Sequence, residues 1–294
     1  MSRVSVPRLV AVADGMGLLE RMLVETVARL TLLDGRQLLN LCMDFSSSTS
    51  SVSSSPSSSS SFSFAASPSP SSSEARVLRR ILARLVEQRV LERLERRRGG
   101  RGGGSSAWVY ALGPAGRRIV AYWAGEGLPR SRTPHEPSVT WTAHTLAVSE
   151  LYVRLKAAAR AGRMELLVFD AEPVCWRSYT RLGGAAGMLK PDAYVEVGSR
   201  EWIDAFFVEV DLGTEHRGQL IRQHRVYREY FRSGVEQAKT GAFPSVAWIV
   251  PDERRATLLA SVHGELPAAD RRLFTVTTSE HVLKVFCGEP GASA

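Results

Sequence analysis

Between Asp44 and Glu74 the sequence is almost entirely serine, broken by Pro56, Pro68 and Pro70 and carrying no charge between those two ends. Such a composition buries too little apolar area to offset the entropy of ordering it. It reads as a disordered insert, residues 46–73, that any fold must carry outside its core. Helical patterns flank it: LLERMLVETVARL (18–30) and GRQLLNLCM (35–43) before, and EARVLRRILARLVEQ (74–88) after. In the last of these Leu78, Ile81, Leu82 and Leu85 fall at i, i+3, i+4 and i+7. They form one apolar stripe and leave Arg76, Arg79, Arg80 and Arg84 to the other faces.

Two short strand-like runs follow, 90–96 and 107–112, joined by an Arg- and Gly-rich stretch that suits a hairpin loop. Three helices and a basic hairpin, in that order, predict a winged helix-turn-helix domain over residues 16–125, behind an N-terminal tail, 1–15. Gly113-Pro114 then opens a support helix, with proline in its first turn. Residues 74–101 hold ten arginines against four glutamates, a net of +6 in a chain whose total is +8. Charge concentrated in this way favours double-stranded DNA as the partner. Arg76, Arg79, Arg80 and Arg84 would face the groove or its phosphates, and Arg96, Arg97, Arg98 and Arg101 would track the backbone from the wing. The rival is a solvated basic face on a protein–protein interaction module or transcription regulator, with the rest of the chain an inactive scaffold.

Residues 126–138, with Pro129, Pro134 and Pro137, read as a linker to a second domain, 139–290. Its pattern is a helix (139–161), strands (164–170, 173–179, 189–197 and 203–211), a helix (214–232), a strand (245–250), a helix (252–262), a strand (272–277) and a closing helix (279–286). This is an α/β domain with a mixed sheet, and it makes the chain as a whole α+β. Cys42, Cys175 and Cys287 lie far apart, which argues against zinc or a disulfide framework and for a cytoplasmic setting. Charges interrupt the apolar N-terminal run, so neither export nor a membrane partner is expected.

The chemistry concentrates in LKPDAYVEVGSREWIDAFFVEVDLGTEHRGQL. Strand alternation puts Asp192, Tyr194 and Glu196 on one face of the first strand and Phe207, Glu209 and Asp211 on one face of the second. Pairing 197 with 202 opposes 192 to 207, whereas a shift of two opposes 192 to 209. Both registers cluster Asp192, Glu209 and Asp211. Three carboxylates together are either solvent-exposed or a site for a hard divalent cation, Mg²⁺ or Mn²⁺. The preceding helix offers His144, on an apolar stripe, and Glu150, either a surface residue or a member of the site. Trp176, Trp202 and Trp248 read as core residues.

Pro191-Asp192 with Glu209-Val210-Asp211 resembles the PD-(D/E)xK nuclease superfamily. The resemblance implies a restriction-endonuclease-like fold in which Asp192, Glu209 and Asp211 form the catalytic, metal-holding set. Asp211 stands where that superfamily has lysine, leaving Arg222, His224 or Arg225 as substitute cations. The winged-helix order, HTLAVSE, LKPDA, EVDLGTE and the following helix with Tyr227 resemble the replication-relaxation family over roughly residues 18–260, apart from the insert. That resemblance implies DNA binding in the replication or relaxation of plasmid or mobile-element DNA, alongside replication or mobilisation proteins. Gln223 takes the place where family members often carry a lysine, four residues before the tyrosine. The expectation is therefore metal binding with weak or no DNA cleavage.

Overall fold

The computed structural model describes residues 6–50, 72–94, 108–126, 138–199 and 202–288. The chain divides into two compact units, Met1–Val153 and Arg154–Ala294. Among the described residues no helix is long and apolar enough to cross a membrane.

The first unit contains α1 (Val6–Asp14), α2 (Leu18–Leu30), β1 (Leu32–Asp34), α3 (Gly35–Ser50), α4 (Ser72–Glu87), β2 (Leu91–Leu94), β3 (Val109–Leu112), α5 (Pro114–Trp123) and the start of α6 (Val139–Arg160). Three antiparallel strands line up as β1-β3-β2. The stripe read on α4 is the buried one: Leu78, Leu82 and Leu85 join Leu23, Val24, Val27, Leu33 and Leu38 in the core. Most of the expected N-terminal tail is helical, and Leu9 of α1 is buried. Helix α3 continues through Ser50, into the serine tract, and residues 51–71 of that tract lie outside the described residues. So does most of the expected linker, 127–137. The unit boundary falls beyond it, inside α6. The first half of that helix is tied to the first unit by Ser149, whose hydroxyl donates to the Leu32 carbonyl at 2.6 Å, and by Gln37, whose amide donates to the Glu150 carboxylate at 3.0 Å.

The second unit continues with β4 (Glu165–Ala171), β5 (Arg177–Thr180), β6 (Ala186–Leu189), β7 (Ala193–Gly198), β8 (Ile203–Val210), α7 (Arg217–Ser233) and α8 (Val235–Thr240). It ends with β9 (Ser245–Val250), α9 (Glu253–Gly264), α10 (Ala268–Arg271), β10 (Phe274–Thr278) and α11 (Val282–Phe286). The main sheet runs β10-β9-β8-β7-β4 and is mixed. Strands β4, β7 and β8 are antiparallel, β4 reaching β7 through the separate β5–β6 hairpin and β7 reaching β8 through a short turn, whereas β8, β9 and β10 are parallel and need helical crossovers. One core gathers Tyr194, Phe207, Trp248 and Phe274 from the sheet with Leu220, Tyr227 and Tyr230 from α7. The mixed α+β architecture agrees with the sequence reading. The single strand expected at 189–197 is two, β6 and β7, parted at Pro191.

Candidate functional site

Arg76, Arg79 and Arg80 stand on the exposed side of α4, opposite its buried leucines. Among the described residues Arg76 and Arg80 have no ion-pair partner. Arg84 differs from them. It pairs with Glu20, a nearly buried side chain whose other oxygen accepts from the Gly17 amide, so it braces α4 against α2 while remaining half exposed. On the adjoining hairpin the Arg93 guanidinium lies 4.1 Å from the Trp108 ring centroid. The expected wing residues Arg96, Arg97, Arg98 and Arg101 lie outside the described residues.

The second candidate grows from the β7–β8 pairing. Ala193 faces Val208 and Gly198 faces Ile203, which corrects the 197–202 register and selects the offset by two. Asp192 therefore lies across from Glu209. Its backbone N–H donates to the Val208 carbonyl at 3.0 Å, and its carboxylate accepts from the Val210 amide at 2.7 Å. On the other side of Glu209 the ladder places Trp248. Glu209 is 5% exposed and accepts from the Tyr227 hydroxyl at 2.5 Å. Burial drives its carboxyl well above the usual range, and the charge of Asp192 pushes it the same way. The Tyr227 bond opposes that rise, while Glu215 and Glu172 add to it. Tyr227 is raised in turn, by burial and then by Glu209.

Asp211 does not join this pair. One of its oxygens takes the Arg255 Nε at 2.5 Å and the other accepts from the Gly213 amide at 2.7 Å. Arg255 also donates to the Glu215 carbonyl at 2.6 Å, which fixes it at the end of β8. Among the described residues no three His, Cys, Asp or Glu side chains are grouped to hold a metal ion. The expected set Asp192, Glu209 and Asp211 is therefore two facing carboxylates plus a third neutralised by arginine.

The substitute cations are dispersed. Arg222 is exposed, and Arg225 lies 3.9 Å from Glu229. His224 is a core residue: its Nδ1 bonds the Leu220 carbonyl at 2.7 Å and its ring stacks on Trp248 at 5.1 Å, with burial lowering its pKa. Gln223, one helical turn before Tyr227, has a buried side-chain oxygen with no partner among the described residues. Glu150 is engaged by Gln37 and approached by Arg36 at 3.8 Å. Trp248 is 1% exposed, as a core residue should be, but Trp202 is 69% exposed and corrects the core reading. Sequence reasoning missed Arg255. Its only signal was the Pro251-Asp252 helix start, where Asp252 accepts from the Arg255 amide at 2.8 Å.

No curated protein and no solved structure matches this chain. The model of the replication-relaxation family matches residues 58–246, a span that takes in the arginine face of α4, the Asp192–Glu209 pair and the whole of α7. Since that is well over half of the sequence, the chain belongs to the replication-relaxation family.

Proposed function

We propose that the chain binds double-stranded DNA through a winged helix built from α2, α3, α4 and the β2–β3 hairpin, and that it acts in the replication or relaxation of plasmid or mobile-element DNA in the cytoplasm. The observation that carries this reading is the outward arginine face of α4, Arg76, Arg79 and Arg80, in a segment of net +6 beside an antiparallel hairpin. Arginines at helical spacing neutralise successive phosphates and release their counterions. Arg84 holds the helix at its angle through Glu20. In a nuclease-like second unit, Asp192 and Glu209 would hold Mg²⁺ or Mn²⁺. Burial and the charge of Asp192 favour the protonated form of Glu209, so a cation would have to displace that proton; once bound between the two facing carboxylates it would relieve their repulsion and take its other ligands from water and phosphate. Such a cation supplies charge neutralisation at a scissile phosphate. The residues around the pair supply little else. Arg255 is committed to Asp211, and Gln223 brings an amide where a cation would stabilise developing charge, so cleavage is weak or absent.

The reading is tested by duplex affinity measured against salt. The logarithm of the association constant should fall steeply and linearly with the logarithm of salt concentration. The Arg76→Ala, Arg80→Ala double variant should flatten that slope by roughly 2, about 0.9 for each phosphate left without its arginine. A salt-independent response in the wild type, or an unchanged slope in the variant, overturns it.

A further inference from the structure

We propose that the cavity beside the tip of the β7–β8 hairpin is a stacking site for a base of single-stranded DNA, with the Trp202 indole as its platform. The choice of DNA as the ligand rests on the function proposed above. The site itself belongs to the second unit and uses none of the α4 arginines.

Tryptophans are among the most buried side chains on average, and an indole left in water calls for an account. Trp202 is 69% exposed, where Trp248 in the same unit is 1% exposed. Its exposure is not that of a loose chain. The Ser199 amide donates to the Trp202 carbonyl at 2.8 Å and the Trp202 amide donates to the Ser199 hydroxyl at 3.3 Å, so the turn holds the residue at both backbone groups. Beside it opens a cavity of about 610 Å³, within the range of small-ligand sites. Small and apolar residues share its lining with the tryptophan: Ala159 from the end of α6, Met164, and Gly198 from the end of β7. Two exposed charges complete the lining. Arg163 brings a cation for a backbone phosphate, and Glu165 brings an acceptor for the exocyclic amino group of adenine, cytosine or guanine. A planar base with a phosphate attached matches this combination of aromatic residue, apolar lining and one charge of each sign. In a duplex the base faces are covered by their neighbours, so the site takes a single strand.

The experiment titrates the full chain with a labelled single-stranded oligonucleotide of mixed sequence and, separately, with the same sequence as a duplex. Trp202→Ala removes the platform, Ala159→Leu fills the cavity without touching the indole, and Trp202→Phe restores an aromatic face. The first two should bind the single strand roughly tenfold more weakly, and the phenylalanine variant should stay within about threefold of wild type. Duplex affinity and melting temperature should not change in any of them. Single-strand affinity unaltered by both Trp202→Ala and Ala159→Leu overturns the site, and so does an equal loss of single-strand and duplex affinity. A free deoxynucleoside monophosphate that displaces the oligonucleotide at equal concentration overturns the assignment to a strand. Wild type that binds only the single strand removes the α4 reading and leaves this one standing; wild type that binds only the duplex does the reverse.

Discussion

Glu209 sits between Asp192 and Trp248 with the Tyr227 hydroxyl on one oxygen, and its carboxyl keeps a proton that the unfolded chain would release near the usual 4.5. Above that pH the native state binds more protons at this group than the unfolded state does. Its contribution to stability therefore falls as pH rises, until the native carboxyl also ionises. Glu209→Gln preserves an acceptor for Tyr227 and removes the titration. The variant should melt above wild type at pH 7–8, by roughly 2–4 °C for each kcal/mol of repulsion relieved, and with wild type near pH 4. Mg²⁺ added at pH 8 should raise the wild-type melting temperature and leave that of Glu209→Gln unmoved; equal shifts in both proteins would place the cation elsewhere. Asp192 has a second duty that its charge conceals, since its carboxylate also caps the Val210 amide. Asparagine there keeps an acceptor in the strand pair, whereas alanine removes it.

Helix α5 lies so close to the start of β2 that residue 116 has no room for a side chain. A Cβ on Gly116 would stand 2.1 Å from the Val90 carbonyl oxygen and 3.1 Å from its carbon, and a backbone atom cannot swing aside. Alanine in place of glycine gains about 1 kcal/mol of helix propensity. Displacing α5 costs about 1–3 kcal/mol, by analogy with overpacked cores, so the clash wins. Gly116→Ala should lower the melting temperature, and an increase would show that α5 can slide at no cost. The sequence displays α5 through Gly113-Pro114 but is silent on this close approach, because the fit lies between two elements. The same division runs through the fold. The α4 stripe is legible because its leucines repeat with the helical period, and strand β9 because it is an unbroken apolar run of strand length. Strand β1, three residues between two helices, has no period to show. Alternation assigns Asp192 and Glu209 to one face of the sheet but leaves their offset open, and only the ladder hydrogen bonds decide it. Arg255 reaches Asp211 across 44 positions of chain, and no local pattern announces such a pair.

For the whole molecule, the second unit's histidines oppose Glu209. Burial holds His224 and His263 neutral, with His263 down at about 4, while the unfolded chain protonates them near 6.5. Their contribution is complete above 6.5 and is lost as pH falls below it, for His263 down to about 4. The Glu209 contribution is complete below 4.5 and is lost as pH rises. The two slopes oppose one another between 4.5 and 6.5, so melting temperature plotted against pH should peak on the acid side of neutrality. A maximum above pH 8 in metal-free buffer would contradict this balance.

The family match spans 58–246, but the structure on which that span depends is wider. Glu20, which anchors Arg84, precedes the match, as do the α2 and α3 residues of the first core. Trp248, Arg255, His263 and Phe274 follow it. A fragment excised at those limits would keep every residue of the arginine face and of the acidic pair. It would also lose the helix against which Arg84 is braced, release the charge of Asp211, and bare the edge of β8 as a template for pairing with another chain.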